Sequence, residues 1–247
     1  MRRGYDTGPA GKADSLLRPG MTNLDFLPQI VRPYSGENES GAENKNNMLK
    51  MGLTGGIASG KSAVAAMLRE MGFPVLEADV VAHKLLEPGQ TAHDEVLREF
   101  GTELAQAQGR IDRAKLGAMV FADPGKLAKL NGIIHPRVEE IILRKFEEWQ
   151  RSGVRDAGFV EAALLVEAGI VGKLDGLVVA FCRPEQQLER LRARGMSEIE
   201  AKRRLAAQMP VEEKLRHATE TIDCSGTLEE TRAQVRALAA RLRKRVG

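Results

Sequence analysis

Only two cysteines, Cys182 and Cys224, occur in 247 residues. That excludes a disulfide framework, fits a reducing compartment and makes the cytoplasm the expected location. An excess of charge of either sign is also lacking. The net charge of +3 is too small to argue for nucleic acid or an anionic membrane as the main partner. The apolar runs fall far short of a bilayer span, so no transmembrane helix is expected. His83, His93 and His217 are scattered, and with no paired cysteines at metal-ligand spacing no zinc site is read. No internal repeat is evident, and nothing in the sequence speaks to oligomeric state. What is there is an ordinary globular composition, 43% hydrophobic and 29% charged, in a chain long enough for one large domain or two small ones.

The first 47 residues differ from the rest. They are rich in Gly, Asn, Ser, Pro and Glu, and their six basic and six acidic residues cancel, so the +3 resides in residues 48–247. Arg2-Arg3 is not followed by an apolar segment of export-signal length. The composition predicts a disordered N-terminal extension; translation from Met21 or Met48 is a second reading of the same stretch.

Beyond residue 48 the pattern alternates. "MLKMGLT" (48–54) reads as a strand, and "KSAVAAMLREM" (61–71) places Val64, Met67, Leu68 and Met71 at helical spacing. "FPVLEA" reads as a buried, parallel strand delivering Asp79 at its carboxyl end. Residues 91–150 read as helical, with breaks at Gly101, Asp123-Pro124 and His135-Pro136. "RVEEIILRKFEEW" aligns Val138, Ile141, Ile142, Phe146 and Trp149 on one side. "AGFVEAALL" and "DGLVVAF" return to strands. "PEQQLERLRAR" opens on a proline suited to the first helical position, and Ser197 with Glu200 caps a second helix. A short strand in "TETIDCSG" and a terminal helix with basic residues near its end complete the chain. Such alternation predicts an α/β fold, a parallel sheet flanked by helices on both faces, with ligands bound beyond the carboxyl ends of the strands.

The stretch "GLTGGIASGKS" (52–62) lies at such an end. Gly55, Gly60, Lys61 and Ser62 match GxxxxGK(S/T) between a strand and a helix, the context that the phosphate-binding loop requires. Glycines such as Gly55, Gly56 and Gly60 let backbone approach an anion without a Cβ in the way. The amides of Ala58, Ser59, Gly60, Lys61, Ser62 and Ala63 can then form a nest for phosphate, reinforced by the helix amino terminus. Lys61 is expected to reach the outer phosphates of ATP, and the Ser62 hydroxyl to coordinate Mg2+.

Such a loop does not choose between kinase, NTPase switch and motor. Asp79 could take the proton of an acceptor hydroxyl or merely cap the following helix. Arg190, Arg192 and Arg194, with Lys202, Arg203 and Arg204, flank "GMSE" in a helix–turn–helix. They could clamp phosphate from a mobile flap, or lie on solvated faces with the interleaved Glu185, Glu189, Glu198 and Glu200. Glu161 could orient a Mg2+-bound water or the acceptor, and it and Glu167 could equally be exposed acids at a helix start. His135-Pro136 reads more readily as a helix boundary than as a functional imidazole.

In order, "GLTGGIASGKSAVA", "LEADVVAHKLLEPG", "IIHPRV", "EAALLVEAG" and "PEQQLERLRARGMSEIEAKRRLAAQMP" resemble the bacterial dephospho-coenzyme A kinase family over residues 48–247. The resemblance implies a P-loop kinase-like core, a helical substrate-binding region at about 79–150 and a lid at about 183–208. It implies ATP-dependent phosphorylation of the 3′-hydroxyl of dephospho-coenzyme A, the last step of coenzyme A biosynthesis. By the same resemblance Asp79 becomes the candidate base, and Arg190 and Arg194 become lid arginines for ATP; Thr54 and Glu161 are expected on the acceptor side with Asp79. The chain departs from the family pattern at several positions. Ala58 stands where glycine is usual, so this position must avoid a positive φ or carry strain. Ala63 lacks a common hydroxyl, Glu77 replaces Asp, Ala163 replaces proline, and Thr219 and Cys224 replace an Asp and an Asn. Another small-metabolite or nucleoside-monophosphate kinase, and a nucleotide-responsive binding protein, are the competing readings.

Overall fold

A computed structural model describes residues 48–246; the expected disordered extension, 1–47, lies outside the described residues. Five strands form one sheet: β1 Leu49–Thr54, β2 Val75–Glu77, β3 Ala157–Glu161, β4 Gly176–Phe181 and β5 Glu220–Asp223. Their order is β2-β3-β1-β4-β5 and every pairing is parallel. Sequence alternation sorts the side chains to two faces. Met51, Leu53, Phe159, Val178 and Ala180 point to one core, closed by α1 (Lys61–Glu70) and α9 (Leu228–Val246). Val160, Leu177, Val179 and Phe181 point to the other, where α5 (Pro124–Arg151) contributes Val138, Ile142 and Phe146. β3 and β4 are buried throughout, which is why they read as unbroken apolar runs.

The remaining helices extend from this frame. α2 (Ala78–Lys84), α3 (His93–Phe100) and α4 (Arg113–Phe121) precede α5. α6 (Pro184–Ala193), α7 (Glu198–Ala206) and α8 (Val211–Leu215) lie between β4 and β5. Asp123 caps α5 by accepting from the Gly125 and Lys126 amides, and Ser197 caps α7 by accepting from Glu200 N–H. Among the described residues no helix is long and apolar enough to cross a membrane.

Two readings of the sequence need correction. β2 is parallel as expected but only half buried, because it closes one edge of the sheet. The expected break at His135-Pro136 does not occur: α5 runs 28 residues with Pro136 inside it. A proline there removes one N–H and crowds the carbonyl four residues back, a penalty of about 3 kcal/mol. That carbonyl belongs to Gly132, and Arg137 Nη1 donates to the neighbouring Ile133 carbonyl at 2.6 Å. Ile133, Ile134, Val138 and Ile142 are buried on both sides of the proline, so packing holds the helix through it.

Candidate active site

The loop after β1 is the centre of the site. Ser59 N–H bonds back to the Gly56 carbonyl at 3.1 Å, and Ala63 N–H to Gly60 at 2.9 Å, closing the turn into α1. Two glycines are sterically required. A Cβ on Gly55 would lie 2.3 Å from the Ala180 carbonyl oxygen; on Gly60, which has φ +105°, it would lie 2.7 Å from Cys224 Cβ and Sγ. The departure at Ala58 is resolved as strain: φ is +58°, the left-handed region that costs an L-residue about 1–2 kcal/mol. Its carbonyl is held by Arg190 Nη1 at 3.1 Å. Ser59 Oγ is buried and, among the described residues, has no hydrogen-bond partner.

Beside the loop, the carboxyl end of β3 delivers Glu161. Its Oε1 accepts from Lys61 Nζ at 2.6 Å and from Ser62 Oγ at 3.3 Å. Lys61 and Glu161 are nearly closed to solvent, with side chains 13% and 6% exposed. Glu161 is therefore a member of the loop's own charge cluster, not an exposed helix-start acid. Arg69, one helix face along α1, bonds Glu77 at 2.6 Å and stands 4.0 Å from Glu161 Oε2. The substituted Glu77 thereby finds a partner.

Asp79 does not end β2. It lies in the first turn of α2 and is exposed. Neither does it cap the helix: the N-cap position is Glu77, and no side-chain bond closes it. Among the described residues the Asp79 carboxylate has no hydrogen-bond partner. Because β2, β3 and β1 are neighbours in that order, two interstrand spacings, about 10 Å, separate the end of β2 from the loop. Glu161 stands between them.

Thr54 is fully buried and donates to the Ala163 carbonyl at 3.2 Å. The same carbonyl accepts from Lys214 Nζ at 2.6 Å. That ammonium, wholly inaccessible, also meets both Glu167 oxygens at 2.8 and 3.1 Å. Ala163, where the family pattern has proline, is thus a carbonyl anchor for two elements. Of the two arginines expected in a lid, Arg190 reaches the loop and also donates to the Cys224 carbonyl at 2.8 Å. Arg194 sits exposed at the end of α6, and among the described residues no hydrogen bond brings it to the loop. Arg192 and Lys202 pair with Glu198, and Arg204 with Glu200, as the solvated-face reading anticipated for them. Burial pushes both thiols up, Cys224 to about 12. Burial also holds the half-exposed His135 imidazole below its ordinary value.

Sequence reasoning passed over Gln187, Gln208 and Lys214. The two glutamines bond the loop backbone at Ile57, contacts from residues more than 100 positions away that no local spacing announces. Lys214 carried no signal either: in "VEEKL" it looks solvated, and only the tertiary fold buries it.

Residues 49–230 match the family model described as dephospho-CoA kinase. The dephospho-CoA kinase of Geobacillus kaustophilus is 44% identical over 191 residues, 77% of this chain and 94% of that protein. The crystal structure of TT1252 from Thermus thermophilus superposes with a TM-score of 0.69 at 36% identity, covering 79% of this chain and 98% of that one. The dephospho-CoA kinase from Campylobacter jejuni gives 0.61 at 27%, covering 79% and 97%. The match to the family model spans well over half of the chain, and the glycine loop, Lys61, Ser62 and Glu161 all fall within it: the chain belongs to the dephospho-CoA kinase family.

Proposed function

We propose that this protein transfers the γ-phosphoryl group of ATP to the 3′-hydroxyl of the adenosine ribose in dephospho-CoA, yielding CoA and ADP. The observation that carries this reading is the cluster of Lys61, Ser62 and Glu161 beneath a glycine loop at the carboxyl ends of β1 and β3. The amides of residues 58–63 receive the phosphates, with Gly55 and Gly56 keeping the approach open. Lys61 is already confined by Glu161 and needs only to share its charge with the outer phosphates. Arg190 shapes the loop from behind, and Arg194 is the lid arginine left to meet the transferring group.

Asp79 is the acceptor-side base. Its carboxylate is exposed and unengaged, at a distance from the loop that a triphosphate and a sugar can span. In the transfer the ribose oxygen attacks the γ-phosphorus in line and the bond from phosphorus to the β-bridging oxygen breaks. The hydroxyl proton passes to Asp79. Thr54 and Glu161 hold the acceptor side of the loop in register with it. The helices within about 79–150 supply the acceptor region, and the α6–α7 hairpin within about 183–208 supplies the lid.

A divalent cation suits the donor set. Ser62 Oγ and the Glu161 carboxylate are hard oxygen ligands 3.3 Å apart. One hydroxyl and one carboxylate suit Mg2+, which is commonly held by one or two carboxylates together with substrate phosphates. Ser62 and Glu161 would hold the ion, which would supply positive charge to offset the charge of the phosphates. Buried free thiols accord with a cytoplasmic setting.

The test is an ADP-release assay with a panel of acceptors. ADP release should depend on dephospho-CoA and exceed that with nucleoside monophosphates. Equal release without any acceptor, or preference for a monophosphate, removes the reading.

A further inference from the structure

Three side chains from the α6–α7 hairpin hold the backbone of the glycine loop at a single corner. Gln208 Oε1 accepts from Ile57 N–H at 2.7 Å, and Gln187 Nε2 donates to the Ile57 carbonyl at 2.8 Å. Arg190 Nη1 donates to the next carbonyl, that of Ala58, at 3.1 Å. The polarity of each contact is fixed by chemistry, since a backbone N–H can only donate and a carbonyl can only accept. Room for the two amide groups exists because residue 56 is glycine: a Cβ there would lie 2.7 Å from Gln187 Nε2 and 3.6 Å from Gln208 Oε1. Gln187 lies in α6 and Gln208 just past α7, so the two ends of the hairpin are pinned to the two successive peptide groups that flank the Ile57 Cα, Gln208 to 56–57 and Gln187 to 57–58.

We infer that Gln187 and Gln208 are positioning residues that clasp the Ile57 backbone through its N–H and its carbonyl and hold the loop in its phosphate-receiving shape. The shape needs holding. Ala58 follows immediately with φ +58°, a conformation an alanine leaves unless its neighbours oppose the rotation. The first amide of the proposed phosphate nest belongs to this same residue, so rotation of the 57–58 peptide would turn that donor away. The clasp also fixes the hairpin's two posts while its turn, with Arg194, stays outside the grip. This inference rests on the nucleotide-binding reading of the loop.

One substitution made at both positions tests it. Gln208→Glu keeps an oxygen facing the Ile57 N–H, whereas Gln187→Glu sets a carboxylate against the Ile57 carbonyl. Both add one negative charge near the same loop, so the shared electrostatic effect appears in each and the difference between them reports the hydrogen bonds. ATP dissociation constants and both Michaelis constants would be measured on the full chain. Gln187→Glu is expected to weaken ATP binding by about tenfold more than Gln208→Glu does, the size of one partly buried carbonyl losing its donor. The Michaelis constant for dephospho-CoA at saturating ATP should stay near the parent value. Gln187→Met, which removes the donor without repulsion, should weaken ATP binding in the same direction and serves where Gln187→Glu does not fold. Equal ATP affinities for the two Glu variants, or parental affinity in Gln187→Met, overturns the clasp. A parent chain that binds no ATP instead overturns the reading beneath it.

Discussion

Removing the Lys214 ammonium should cost more stability than any surface charge change. Lys214 is wholly buried and its Nζ serves three oxygens, two on Glu167 and one on the Ala163 carbonyl. Lys214→Met keeps most of the stem and deletes the charge, leaving Glu167 without its cation. Breaking a buried pair from one side costs about 3–5 kcal/mol. Glu167 retains 25% side-chain exposure, so water recovers part and about 2 kcal/mol is the better figure. The Ala163 carbonyl keeps Thr54 Oγ1 as a donor, so its loss adds about 1 kcal/mol. With a urea dependence of about 2 kcal/mol per molar, a total of about 3 kcal/mol lowers the unfolding midpoint by about 1.5 M. Adding Glu167→Gln removes the stranded charge and should restore roughly half of that shift. The measurement is urea unfolding of the parent, the single variant and the double variant. A Lys214→Met midpoint indistinguishable from the parent, or a double variant no more stable than the single, refutes the reasoning.

Other consequences are simpler to state. Both cysteines are buried with their thiols pushed up, Cys224 to about 12; native protein at pH 8 should therefore resist iodoacetamide, and denatured protein should take two labels by mass spectrometry. His93 faces an acceptor with each ring nitrogen, Asp94 Oδ1 and the Gly109 carbonyl, both at 2.7 Å. The Asp94 hydrogen bond, then the Gly109 carbonyl, raises its pKa above 6.5. Its contribution to stability is therefore full below pH 6.5 and lost as pH rises through the raised folded value, so the stability gap between parent and His93→Gln should narrow from pH 5.5 to pH 9 in urea titrations. Gly60→Ala, which forces a side chain into φ +105° against Cys224, should lower stability by about 1–3 kcal/mol. Cys224→Gly in the same chain should recover only the steric part of its thermal-midpoint shift.

The sheet was legible in the sequence because burial on both faces leaves its mark residue by residue, as in "DGLVVAF". The phosphate loop was legible because backbone geometry there demands glycine at fixed intervals. Pro136 misled for a physical reason: local preference says break, but Ile133, Ile134, Val138 and Ile142 anchor the helix from both sides. β2 misled because an apolar strand at a sheet edge looks like one at its centre. Glu161 was a candidate among alternatives until the fold set it against Lys61. The Ile57 clasp and the Lys214 anchor were invisible for the same reason as each other: each joins polar residues distant in the chain, and such pairing has no period.

The account stands on the division of labour between the loop and Asp79, and the most direct measurement compares Asp79→Asn with the parent in ATP binding and in phosphorylation of dephospho-CoA. ATP affinity should be unchanged while kcat falls by about 10²–10⁴. Parental turnover in Asp79→Asn, or a loss explained by weaker ATP binding, would contradict the assignment of that carboxylate to the acceptor.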